Sequence, residues 1–411
     1  MRKEVLKKKI KSVCANITAG EVDSLRLKNE TYTTVRVYDN GCIGVAGKIG
    51  KADLDDLEKE AKENVSRGIP YPDLPEKPLN KSINAKKDII SDDDFLPYVK
   101  DLFKRIAKEN PDFIINGKAY LNERESEYSD GQGRDLSYAG NSVETVVIFK
   151  DKKSANIMDG DVDAEDDKLF GDDFAKDVKT KLDAFSTPLP HVDCDKIPVI
   201  MGAGYFTYII QHFIADVYCN GASLLNDKLG KKIFGDNFSA IIDLNPENNV
   251  NTDFFDAEGV VNDGYKNYLV KNGVMENLLT TKLSADRYKV KNTGNAAANY
   301  ASAPTVSGMG FDIEKTAADL EEILKGREAI FLDCSSGGDM TPDGNMSLPS
   351  QLSFLYKNGK LEGKLPEFAL CGNVFDVFGK DFLGACSLGC LFKSSARNTV
   401  IVAEMNIVNK K

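Results

Sequence analysis

The sequence predicts an α+β protein of two domains. The N-terminal half has an antiparallel-rich sheet with helices packed on it. The C-terminal half is mostly β, in mixed or barrel-like sheets, with a few helices. Three observations lead there. Runs rich in β-branched and aromatic residues, such as 31–38 (TYTTVRVY) and 143–149, recur between Asn-Gly and Asp-Gly turns. Helical apolar spacing occurs in only a few windows. At 411 residues the chain is longer than one core commonly serves. Ser186-Thr187-Pro188-Leu189-Pro190 has linker composition, which places the domains at 1–188 and 189–411.

In the first half, residues 3–14 are expected as a short helix with Val5, Leu6 and Ile10 on one side. Residues 22–28, 31–38 and 42–46 follow as strands of a meander, turning at Asp39-Asn40-Gly41. Residues 52–65 form a helix on Leu54, Leu57, Ala61 and Val65. Four prolines between residues 68 and 81 make an extended connector. Ser91 caps a helix over 92–109, with Phe95, Val99, Phe103 and Ile106 as its stripe. Strands return over 113–149. Residues 159–167 (DGDVDAEDD) imitate a calcium loop, but Ala164 and Phe170 stand where glycine and the bidentate glutamate belong, so a charged surface loop is preferred. Residues 172–185 are a helix.

The second half opens with residues 197–230, where chemistry is first sought. Residues 197–201 are a buried strand, Gly202 and Gly204 a turn, and 205–218 a helix on Tyr205, Ile209, Phe213 and Val217. Such a turn would aim backbone N–H groups at a ligand. Strands follow at 238–243, 268–270 and 274–283, and a polar loop at 284–301. A helix over 316–325 precedes strands at 329–334, 353–356, 368–371 and 399–407. Asn358-Gly359 marks a hairpin.

Composition removes several functions. The formal net charge is -11, which disfavours nucleic-acid binding. No run of 18 apolar residues is present to span a membrane. The eight cysteines are scattered and are expected as reduced thiols, with the cytoplasm as the compartment. Gly202-Ala203-Gly204 lacks the third glycine of a dinucleotide fingerprint, Thr207 standing there. The two histidines, His191 and His212, exclude any site needing several imidazoles. His212 has Asp216 one turn on but no second histidine. It is the one candidate catalytic side chain, acting with a cysteine or an unusual metal set, although a packed histidine is the plainer reading. Cys386 and Cys390 are candidate metal ligands at loose spacing, against a plainer reading as buried small side chains.

Spread over the second half are GASLLNDKLGKKI (221–233), FDAEGV (255–260), LVKNGVMENLLTTKLSADR (269–287), NTGNAA (292–297), CGNVFDVF (371–378) and NTVIVAEMNIV (398–408). In order and spacing they resemble the TldD/PmbA family, known as modulators of DNA gyrase and as peptidases. DNGCIGVAG (39–47) extends the resemblance more loosely into the first half. TldD-like members carry H-E-x-x-x-H on a helix, completed by a C-terminal cysteine. Counted back from Gly221 without gaps, those positions are Phe206, Thr207 and Gln211, none of which can serve. The chain is therefore similar to the PmbA (TldE) branch, which lacks the metal motif.

The resemblance implies a subunit of a metallopeptidase assembly acting on unfolded peptides, with no metal or other cofactor of its own. Its partner would be a TldD-like subunit or a second copy. It implies a peptide chamber, for which Thr293, Gly294, Asn295, Asp256 and Glu258 are the candidate lining. The alternatives are a self-sufficient peptidase using His212, which alone would call for zinc, and a non-enzymatic peptide-binding homodimer.

Overall fold

Four strands of 17 to 19 residues dominate the first half: Arg2–Thr18, Glu21–Asp39, Phe113–Ser129 and Arg134–Asp151. The computed structural model describes residues 1–409. The four pair antiparallel in the order Glu21–Asp39, Arg2–Thr18, Phe113–Ser129, Arg134–Asp151. Cys42–Ile49 extends one side, Gly160–Asp166 joins Arg134–Asp151, and Leu79–Asn84 adds the one parallel pair of this sheet. The helices Asp92–Glu109 and Asp173–Phe185 cover one end, and Leu54–Asn64 packs elsewhere on the same sheet. Ser91 caps its helix by accepting the Asp94 N–H, and Phe95, Val99, Phe103 and Ile106 are fully buried.

Residues 3–14 are strand, not helix. The helical reading took Val5, Leu6 and Ile10 as the buried set. The burial period is two instead, and it places Arg2, Glu4 and Leu6 inside. Charged side chains at the inward positions hid the alternation. Residues 160–166 likewise join the sheet as a strand rather than forming a surface loop.

In the second half, Lys196–Gly202 pairs with Ala329–Ser335 and Thr399–Asn409. Thr399–Asn409 continues to Phe368–Asn373, then to Asn345–Lys357, which pairs back onto Ala329–Ser335. The sheet thus returns on itself as a partial barrel. A smaller sheet of Ala240–Asp243, Lys266–Lys271, Val274–Met275 and Phe311–Ile313 packs beside it. Ile197, Val199 and Met201 enter one core while Ile200 enters the other, so this strand is apolar throughout. Asn358 and Gly359 both have positive φ, the turn the hairpin signal specified. No helix among the described residues is long and apolar enough to cross a membrane.

The fold is α+β, as the sequence predicts. One core joins Phe95 and Phe103 of the first half to Phe331, Leu352 and Val402 of the second.

Candidate functional site

After Lys196–Gly202 the chain does not form one helix over 205–218. It breaks into short pieces, Ala203–Phe206, Thr207–Ile210, Gln211–Phe213 and Ala215–Cys219. The break falls at Ile214, which is extended at φ -65 and ψ 126 and bridges to Leu279. Ala215 is consequently buried, whereas Val217 is only half-buried. Gly202 has φ -59, and a Cβ on Gly202 or Gly204 would meet nothing within 4 Å. The turn therefore has neither a demand for glycine nor a long helix behind it, and no phosphate cradle forms.

Phe206 is fully buried at the centre of an aromatic cluster. Its ring lies 5.9 Å from Phe213, 6.2 Å from Phe234, 5.5 Å from Phe238, 5.1 Å from Phe311 and 5.0 Å from Phe378. Offset and edge contacts of this kind add to the area each ring buries. Thr207 and Gln211 face outward and are exposed. The three motif positions are thus divided between core and surface.

His212 is half-buried, and its Nδ1 accepts the Leu224 N–H at 3.1 Å. An accepting Nδ1 leaves the proton on Nε2. Burial lowers the imidazole pKa, which favours its neutral form. Its carbonyl accepts the Ser223 hydroxyl at 2.7 Å. Both bonds fasten the loop after Cys219.

Asp256, Glu258, Thr293, Gly294 and Asn295 do come together, and all are buried. Asp256 accepts the N–H groups of Glu258, Val260 and Ala296, each at 2.9 Å. Glu258 accepts the Tyr71 hydroxyl and, at 2.9 Å, the Lys282 N–H. Burial, with Asp256 alongside, pushes its carboxyl up to about 7. Thr293 and Thr280 bond reciprocally: Thr293 N donates to Thr280 Oγ1 at 2.7 Å, and Thr280 N to Thr293 Oγ1 at 3.1 Å. The Thr293 hydroxyl has the Asn295 Oδ1 and Leu278 carbonyl, each at 2.8 Å, as acceptors. Gly294 sits at φ +65 against Val260, where a side chain would be strained. These residues knit the loops that close over the long sheet.

Sequence reasoning missed the charged half of this region. Glu4 is fully buried, accepting Arg2 at 2.5 Å and the Tyr38 hydroxyl at 2.8 Å. Arg36, also fully buried, lies 3.6 Å from Glu4 and donates to the Ala257 carbonyl at 2.6 Å. Arg2 pairs with Asp73, Lys282 lies 3.5 Å from Glu76, and Arg134 donates to the Lys77 carbonyl at 2.5 Å. With Tyr71 on Glu258, these contacts pin the proline-rich connector. Strict alternation over 2–6 was the available signal, had charged residues been allowed inward.

Cys386 is buried and Cys390 exposed. Burial and the Cys390 thiol push the Cys386 thiol up to about 12. Among the described residues, no group of three or more His, Cys, Asp or Glu side chains could hold a metal ion.

Residues 195–408 match the family described as PmbA/TldA metallopeptidase C-terminal domain. Two Methanocaldococcus jannaschii proteins are similar. One, uncharacterised, is 31% identical over 172 residues, covering 41% of this chain and 40% of that protein. The other, a metalloprotease, is 29% identical over 168 residues, covering 40% and 37%. The matched part therefore spans about two fifths of these curated relatives. TldE from Thermococcus kodakarensis shares the fold, with a TM-score of 0.81 at 17% identity, over 100% of this chain and 97% of that one.

Proposed function

The chain belongs to the PmbA/TldD family of metallopeptidases, and from that premise we propose that it is a TldE-like subunit without a metal site of its own. It completes a peptide-handling assembly in the cytoplasm with a TldD-like partner, and unfolded peptides are the substrates. The division into domains 1–188 and 189–411 belongs to this proposal.

The observation that carries it is Phe206. A phenylalanine offers no lone pair to a metal, and this one is packed among five other rings of the barrel-side core. Thr207 and Gln211 cannot replace a carboxylate base and an imidazole. What remains is a scaffold: loops held by Asp256, Glu258 and Thr293 behind the segment from Ala297 to Tyr300, which comes to the surface. Thr293, Gly294, Asn295, Asp256 and Glu258, expected as chamber lining, are buried and enter this proposal as supports behind the wall, not as its exposed face.

Co-expression with a TldD-like chain tests the reading. The two are expected to co-purify, and peptide hydrolysis is expected in the complex and not in this chain alone. Chelator-sensitive hydrolysis by this chain alone would overturn it.

A further inference from the structure

Glu21–Asp39 is paired on both edges over only part of its length. Arg2–Thr18 runs along the whole of one edge, but Cys42–Ile49 covers the other only from Tyr32 to Asp39. The Thr31 carbonyl accepts the Gly50 N–H at 2.8 Å, so Thr31 turns its peptide groups away from Arg2–Thr18. In an antiparallel ladder alternate residues turn the same way. Asn29, Leu27 and Leu25 therefore hold their N–H and C=O groups toward the open edge, where among the described residues they have no partner. Asp23 ends the regular run as the extra residue of a bulge, since Asn16 pairs with Ser24 and Ile17 with Val22.

The side chains along this edge suit a further strand. Leu25 and Leu27 stand opposite Ala15 and Val13, which are buried in the core beneath Asp92–Glu109. The two leucines continue that apolar face but are 45% and 71% exposed. The other face carries charge. Lys28 pairs with Glu30 at 3.2 Å, whereas Arg26 has no ion pair among the described residues. Behind Arg26, on successive strands, come Cys14, Tyr120 and Glu144. Glu21 and Asp23 lie at the bulged end, past Leu25.

Long open edges invite pairing with a copy of themselves unless something in them forbids it. Here the charges forbid it. A two-fold pairing centred on Leu27 sets Arg26 against Lys28 of the copy, and one centred on Arg26 sets that residue against itself. One centred on Leu25 sets Leu27 against Asp23 in the bulge. Like charges directly opposite each other are destabilising, and opposite charges there are favourable. A strand of another sequence, with an acid facing Arg26, meets none of these conflicts.

We infer that the edge from Leu25 to Asn29 takes up an extended segment of another polypeptide, one that reads apolar–acidic–apolar against Leu27, Arg26 and Leu25. The open backbone groups supply affinity and the alternating side chains supply selectivity. The inference stands apart from the metal-free subunit role.

Hydrogen exchange of the full chain tests it, with N-acetyl-Thr-Val-Glu-Val-Thr-amide as the added peptide. Exchange is expected to slow at the Leu25, Leu27 and Asn29 amides. Arg26 and Lys28, whose amides already face Arg2–Thr18, are expected to stay unchanged. Replacing the peptide's glutamate by lysine is expected to weaken binding about fivefold, and Arg26→Glu to reverse that order. N-methylation of both valines removes the N–H groups that face the edge and is expected to abolish binding. N-methylation of the glutamate, whose N–H faces away, is expected to leave it intact. No protection by the peptide, equal affinity for the glutamate and lysine peptides, or undiminished binding of the valine-methylated one would overturn the inference. Protection of the same amides in the chain alone, rising with its concentration, would make a second copy the occupant and overturn it as well.

Discussion

Truncating Phe206 to alanine removes the ring on which the aromatic cluster converges. The ring is fully buried and has centroids of five other phenylalanines between 5.0 and 6.2 Å away. A buried Phe→Ala change costs about 3–5 kcal/mol, combining lost transfer free energy with the cavity left behind. Ring–ring contacts are worth about 0.5–1.5 kcal/mol beyond burial, which puts Phe206→Ala toward the upper end. Thr207→Ala and Gln211→Ala remove exposed side chains and should stay within about 0.5 kcal/mol of the parent. The chain has no tryptophan, so urea unfolding is best followed by far-UV circular dichroism, with slopes compared before midpoints. A loss below about 1 kcal/mol for Phe206→Ala would refute the reasoning, since truncating a core ring costs well above that. So would an equal loss at Gln211.

Burial raises the Glu258 carboxyl from 4.5 to about 7, so the folded chain binds that proton more tightly than the unfolded one. Its contribution is complete below about 4.5 and is lost as pH rises through about 7. Melting temperatures between these values should fall with pH in the parent and fall less steeply in Glu258→Gln, because burial also raises the neighbouring Asp256, to about 6; an unchanged slope would contradict this. His212→Ala removes the acceptor for the Leu224 N–H and should cost about 1 kcal/mol, with faster hydrogen exchange at Leu224 and no effect on hydrolysis by the assembly; loss of that hydrolysis would favour a catalytic imidazole. Gly294→Ala forces a Cβ to 2.8 Å from Val260 at φ +65 and should destabilise by about 1–3 kcal/mol in urea; a neutral result would mean the loop yields freely.

The sequence showed the parts of the fold whose side chains obey the simple patterns. The helix on Phe95, Val99, Phe103 and Ile106 and the Asn358-Gly359 turn are formed as the spacing and turn chemistry specify. It misled where local pattern and tertiary environment disagree. Arg2 and Glu4 are charged yet face inward, because they satisfy each other along with Tyr38, and so a strand looked like a helix. The spacing of Tyr205, Ile209 and Phe213 is helical, but the Ile214–Leu279 bridge breaks the helix, and no local rule announces a bridge to a residue so distant in sequence. Asp256, Glu258 and Thr293 were found as a group through family resemblance. That they are buried, and that Arg36 and Tyr71 lie with them, depends on the long sheet folding against loops more than 180 residues away.

Elemental analysis of the purified chain, alone and in complex with a TldD-like partner, bears most directly on the metal-free subunit role. The chain alone should carry only substoichiometric zinc and keep its melting temperature in chelator, while the complex gains metal and peptide hydrolysis through the partner. One zinc per chain in the isolated protein, with a chelator-sensitive melting temperature, would contradict that role.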